Sequence, residues 1–177
     1  PLAALDAATR ALVRRDLRRT LAEFAGVRVL VTHDPVDAYA LADRVVVLEA
    51  GTVAQEGTLA AVTMHPRSRY VAELVGLNLL RGSMQAGTLT LSNGARVVVA
   101  DDALRGEAFA AVRPQSISLH QSQPAGSQRN VWRLRVADID RRADRARVQL
   151  DGELSLVAEV TPAALDDLSI VPGGEVW

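Results

Sequence analysis

His33 is the residue of this sequence with the most to offer chemically, because an imidazole titrates near neutrality and can hold or pass a proton. It follows the apolar run Val27-Arg28-Val29-Leu30-Val31-Thr32 and stands directly before Asp34-Pro35. That place suits a catalytic switch, and it suits equally a plain residue in a strand-to-helix turn. The residue type alone leaves both readings open. His65 and His120 have no metal-ligand spacing to it and no cysteine is present to join them, so no structural metal is expected. Asp138, Asp140 and Asp144, like the pair Asp166-Asp167, lie beside arginines in turns, where carboxylates are solvated or cap helices. No Gly-x-Ser-x-Gly nucleophile elbow occurs.

The basic residues exclude more. All 20 are arginine, so chemistry that needs lysine is absent: the GxxxxGK[ST] phosphate-binding loop cannot be completed, and no Schiff base can form. A formal net charge of -1 predicts no nucleic-acid partner. With 49% hydrophobic residues, and no window near the ~20 apolar residues of a membrane span, the composition is that of a core-forming protein. The first residues carry arginines and aspartates where a secretory signal needs a clean apolar stretch, so a cytoplasmic location is expected.

The elements that must position His33 follow from periodicity. Val13, Leu17, Leu21 and Phe24 recur at helical spacing with Asp6 as N-cap, and Arg14, Arg15, Arg18 and Arg19 fill what reads as a solvated face. Residues 27–32 read as a strand buried on both faces, and Asp34-Pro35 as the start of a helix running to Ala42. Two strands joined at Ala50-Gly51 follow, then a helix over 65–76. From 77 onward short alternating runs predict a mainly β half, with Asn93-Gly94 marking a hairpin and 121–128 a loop between two β subunits. Two small barrels in tandem fit the strand count. Trp132 reads as a core residue.

Taken in order, Ala4-Leu5-Asp6, Val31-Thr32-His33-Asp34, ALADRVVVLEAGTVAQEGT at 40–58 and HPRSRYVAELVG at 65–76 resemble the carboxy-terminal part of an ABC importer's nucleotide-binding subunit. The first matches the D-loop and the second the switch-histidine loop. The resemblance implies that His33 contacts the γ-phosphate and helps position the attacking water, and that Asp6 couples two sites across a nucleotide-sandwich dimer. It implies ATP and Mg2+ as cofactors of the whole subunit. The family's phosphate-binding loop, glutamine loop, signature motif and acidic strand precede the D-loop. The sequence is therefore expected to be a piece cut at both ends, inactive alone, with the strand at 27–32 poorly covered.

The second half is similar to the TOBE domain appended to such subunits, in its molybdate-binding or Mop version. The carriers are Ser127-Gln128-Arg129-Asn130 before a strand, and Thr161 with Leu168, Ile170 and Pro172-Gly173 behind it. The fold class implied is an α/β part (1–76) followed by a mainly β, OB-like regulatory domain (77–177). A tetrahedral dianion offers only acceptor oxygens and so needs fixed donors. Ser127, Arg129 and Thr161 match the family's donors for molybdate or tungstate, with Asn130 ordering their loop. The family often has a hydroxyl where this sequence has Ala164, and its lysine would fall beyond Trp177.

The resemblance thus implies the ATP-hydrolysing subunit of a molybdate importer, inhibited through its regulatory domain. Its implied partners are transmembrane permease subunits, a second ATPase subunit and, indirectly, a substrate-binding protein; its place is peripheral on the inner face of the membrane. Sulfate, sugar and polyamine importers share the architecture, and a stand-alone oxyanion-binding module is the alternative from another class.

Overall fold

Helix α1 (Ala7–Glu23) starts where the Asp6 carboxylate accepts the amide of Thr9 at 3.0 Å, the N-cap that the sequence predicts. The computed structural model describes residues 6–177, so Ala4 and Leu5 of the D-loop-like triplet lie outside the described residues. Val13, Leu17 and Leu21 form the expected stripe and are half-buried. Arg14 departs from the expected solvated face: its side chain is 14% exposed and turned toward Asp34 and Asp37.

The apolar run at 27–32 is a correction. It forms no strand, and Val27, Val29 and Val31 are 92%, 84% and 85% exposed. A strand of a parallel sheet exists only with neighbours that satisfy its backbone, and none of the described strands pairs with this segment. Its exposure agrees with the expectation of poor cover. Helix α2 (Pro35–Leu41) follows, with Asp34 as N-cap and Pro35 in the first turn. Strands β1 (Arg44–Glu49) and β2 (Thr52–Thr58) form the antiparallel hairpin expected. Its turn needs two left-handed residues, Ala50 at φ 48° and Gly51 at φ 77°.

Helix α3 (Leu59–Met64) has no counterpart in the sequence reading, because six residues are too few to show a period. The Thr58 hydroxyl caps it by accepting the amide of Ala61. Helix α4 (Arg69–Leu74) is the core of the longer helix expected over 65–76, and Gly76 at φ 70° lies past its end. Leu74 closes the first of two compact units; the second runs from Val75 to Trp177.

The second unit is two four-stranded antiparallel sheets. Strands β3 (Asn78–Gln85), β4 (Thr88–Leu91), β5 (Arg96–Val98) and β6 (Gly106–Val112) lie in the order β5-β4-β3-β6. Strands β7 (Leu134–Arg141), β8 (Ala146–Asp151), β9 (Leu156–Val160) and β10 (Glu175–Val176) lie in the order β10-β7-β8-β9, with helix α5 (Pro162–Asp167) after β9. Asn93-Gly94 makes the predicted turn between β4 and β5. Residues 117–120 and 130–133, expected at strand length, are irregular. Instead of two barrels there is one core: Leu80, Met84, Leu89 and Val97 of the first sheet meet Val136, Val148, Leu150 and Ala158 of the second. Each sheet has one apolar face and buries it on the other. Trp132 packs half-buried against that core. Among the described residues no helix is long and apolar enough to cross a membrane.

Asn78 joins the sheets. Buried at the start of β3, its amide donates to the carbonyl of Val157 at 2.9 Å and accepts the Val157 N–H at 2.6 Å, pairing with β9 as another peptide group would. Asn78→Ala leaves a buried N–H without its acceptor and is expected to cost about 2–3 kcal/mol, read as a lower urea midpoint with an unchanged slope.

Candidate functional site

The loop that carries His33 is fastened at several points. Asp34 Oδ1 accepts the amide of Val36 at 2.8 Å and so caps α2. Its other oxygen, Oδ2, accepts from Arg14 Nη2 at 2.8 Å, while Arg14 Nε donates to Asp37 Oδ1 at 2.5 Å. Asp37 Oδ2 accepts the hydroxyl of Thr32 at 3.1 Å, and the Thr32 oxygen accepts the amide of Asp34 at 3.0 Å. Asp37 is buried and Asp34 half-buried, and the Arg14 guanidinium between them offsets the repulsion of two carboxylates this close. The planar fork of arginine meets both; the point charge of a lysine would not. His33 itself is exposed, with its imidazole making no hydrogen bond within the described residues and its carbonyl accepting the Tyr70 hydroxyl at 2.8 Å. Asp6 caps α1, the helix that carries Arg14 about two turns further on.

Of the four oxyanion candidates, the structure groups three and separates one. Ser127 and Arg129 are exposed in the irregular stretch before β7, without hydrogen-bond partners among the described residues. Asn130 holds that stretch in place: its amide donates to the carbonyl of Val98 at 2.8 Å and accepts the Val98 N–H at 2.7 Å. Thr161 follows Val160, which pairs with Ala146, which in turn pairs with Arg141 at the far end of β7. It stands at the head of α5, on a different element from the Ser127 stretch, and β9 reaches β7 only through β8. The Thr161 oxygen caps α5 by accepting the amide of Ala164 at 3.2 Å, which leaves its proton free to donate. A cavity of about 250 Å³ is lined by Asn130, Gln128 and His120 together with Val97, Trp132 and Leu134, so its wall is mostly apolar with a few polar groups. Among the described residues no group of three or more His, Cys, Asp or Glu side chains could hold a metal ion.

Residues 126–177 match the family model of the TOBE domain. Along its whole length the chain is 38% identical, over 185 aligned residues, to the molybdenum import ATP-binding protein ModC of Mycobacterium tuberculosis (strain ATCC 25618 / H37Rv), covering 50% of it. The chain is ModC-like, an ABC-ATPase stretch ending in a TOBE domain. It is also 34% identical to the sulfate/thiosulfate import ATP-binding protein CysA 2 of Chromobacterium violaceum, over 98% of this chain and 48% of that one. Among solved structures, the cytoplasmic molybdate-binding protein ModG with molybdate bound is similar at 23% identity and a TM-score of 0.46, over 56% of this chain and 86% of that one. The chain spans about half the length of the curated relatives it matches.

Sequence reasoning missed Arg14 in this ModC-like stretch, since an arginine among arginines on a helix carries no local sign that two aspartates twenty and twenty-three residues away will claim it. Arg14→Leu is expected to free the loop. Amide hydrogen exchange at Val36 and Ala38 should accelerate at least about tenfold, with the unit destabilised by about 3 kcal/mol; Arg14→Lys should recover only part of either effect.

Proposed function

We propose that this chain is part of the ATP-hydrolysing subunit of a molybdate importer, with His33 as its switch histidine and Asp6 as its D-loop aspartate. The observation that carries the reading is the alignment to ModC across the entire chain, 38% identical and passing through both motifs into the TOBE domain. The geometry around His33 supports it: the backbone is held from several directions while the residue is exposed and its imidazole has no hydrogen-bond partner among the described residues. A histidine serving only as a turn residue needs no such fixing.

The cofactors belong to the whole subunit. These 177 residues contain no lysine and no complete phosphate-binding loop, so they do not by themselves hold ATP or Mg2+, and no catalytic step is assigned to the chain alone. Its contribution is an imidazole at a fixed place. The expected partners are a second ATPase subunit, transmembrane permease subunits and, through them, a substrate-binding protein. The domain assignment proposed is 1–76 for the ATPase part and 77–177 for the regulatory part.

Ser127 and Arg129 offer a hydroxyl and a guanidinium to molybdate or tungstate, with Asn130 holding their loop and Thr161 offering a second hydroxyl. Their donor chemistry fits an oxyanion. Thr161 stands at the head of α5 and the other three in the stretch before β7, so a site using all four needs these two elements brought together, within one copy or between two. Inhibition through such a site requires the anion to bind the resting assembly more tightly than the transporting one. The 34% identity to CysA 2 favours sulfate as the second reading.

Two measurements test the proposal. In a whole subunit carrying this chain, His33→Ala should lower kcat for ATP hydrolysis by at least ~10²-fold, whereas the 177-residue chain alone should show no hydrolysis. In equilibrium binding to the same subunit, molybdate should resist displacement by sulfate, and Arg129→Ala should weaken it by about 10–100-fold, the worth of one charge-assisted hydrogen bond. Equal competition by sulfate makes the sulfate reading the better one.

A further inference from the structure

The peptide unit between His33 and Asp34 has both of its polar groups engaged. Its carbonyl accepts the Tyr70 hydroxyl at 2.8 Å, and its N–H donates to the Thr32 hydroxyl oxygen at 3.0 Å. A peptide gripped at both ends cannot rotate, which fixes ψ of His33 and φ of Asp34, the latter at -91°. What stays free is the side chain of His33, so the imidazole swings about an immobile root.

The two grips come from different places. Thr32 is local, one residue before His33. Tyr70 reaches in from α4, across 37 residues of sequence. The start of α4 is itself secured by the hairpin: Glu49 Oε1, at the end of β1, accepts the Ser68 hydroxyl at 2.6 Å and the amide of Tyr70 at 3.2 Å. Ser68 Oγ in turn accepts the amide of Val71 at 3.2 Å. Tyr70 is thus held by its own backbone to Glu49, while its hydroxyl holds His33. Tyr70 is 42% exposed, and its hydroxyl is directed at the His33 carbonyl.

We propose that Tyr70 is a positioning residue for His33, its hydroxyl clamping the switch-loop peptide so that the place of the imidazole is set by helix α4. The inference rests on the proposed role of His33. It adds that α4, the last element before the second unit begins at Val75, governs where the switch histidine stands. A shift of α4 by a fraction of a hydrogen-bond length alters or releases the grip.

Tyr70→Phe removes the hydroxyl and leaves the ring, so the fold is preserved. Two readings are made. In the 177-residue chain, the 15N–1H signal of Asp34, whose nitrogen belongs to the gripped peptide, should move, while those of α1 should stay. In the whole subunit, kcat for ATP hydrolysis should fall about three- to tenfold with KM changed less than about twofold, since the lost bond orients a catalytic group and binds no nucleotide. An unmoved Asp34 signal overturns the clamp. A moved signal with unchanged kcat overturns its positioning role. A wild-type subunit without ATP hydrolysis overturns the reading of His33 itself, a result distinct from both.

Discussion

The Arg14 guanidinium ties the first unit's working loop to its longest helix. Asp34 and Asp37 lie within a single turn of chain, each at least partly withdrawn from water, and each has a second duty: Asp34 caps α2 and Asp37 receives Thr32. Bringing two carboxylates together in such a place is unfavourable unless a cation with two separate donors stands between them. Arg14 is that cation, and its place on α1 makes the helix and the loop one mechanical piece. The N-cap of α1 is Asp6, so the two motifs that resemble D-loop and switch loop are joined through one helix and one ion-pair cluster.

The second unit meets a different constraint. Two open sheets share a core, and each has edges whose peptide groups need partners. At β9 the partner is the side-chain amide of Asn78, and at β5 that of Asn130. Each asparagine presents a donor and an acceptor spaced as in a peptide, so each adds one rung to a ladder without adding a strand. Asn93 makes a third stitch, donating to the carbonyl of Glu153 at 2.8 Å. At Gly82 the chains approach so closely that a Cβ would fall 2.4 Å from the Thr90 carbonyl oxygen, which makes glycine a requirement of the curvature.

What was legible in the sequence was local. Asp34-Pro35 announces a helix start, Ala50-Gly51 and Asn93-Gly94 announce turns, and Asp6 announces a cap, because each feature is decided by a few neighbouring dihedrals and one short-range hydrogen bond. Arg14, Tyr70 and Asn78 were illegible because their partners are fixed only by the fold, at separations of 20 to 79 residues. The run at 27–32 shows the limit from the other side: its composition is that of a buried strand, yet strand is a property of pairs, and residue type cannot supply the neighbour. Thr161 was read as a donor and acts as a helix cap; the same hydroxyl can do both, so residue type could not rank them.

That run also governs how the chain behaves in company. Val27, Val29 and Val31 alternate along a segment with no ladder partner among the described residues, and alternation is the pattern that lets one extended chain recognise another. Arg28 is the single charge inside it, and charges in such runs normally keep strangers away. Here its guanidinium is folded back to donate to the carbonyl of Leu21 at 2.5 Å, where it finishes α1. The run thus keeps both of its backbone edges and an alternating apolar face open to whatever strand comes beside it, with its one charge directed away toward α1.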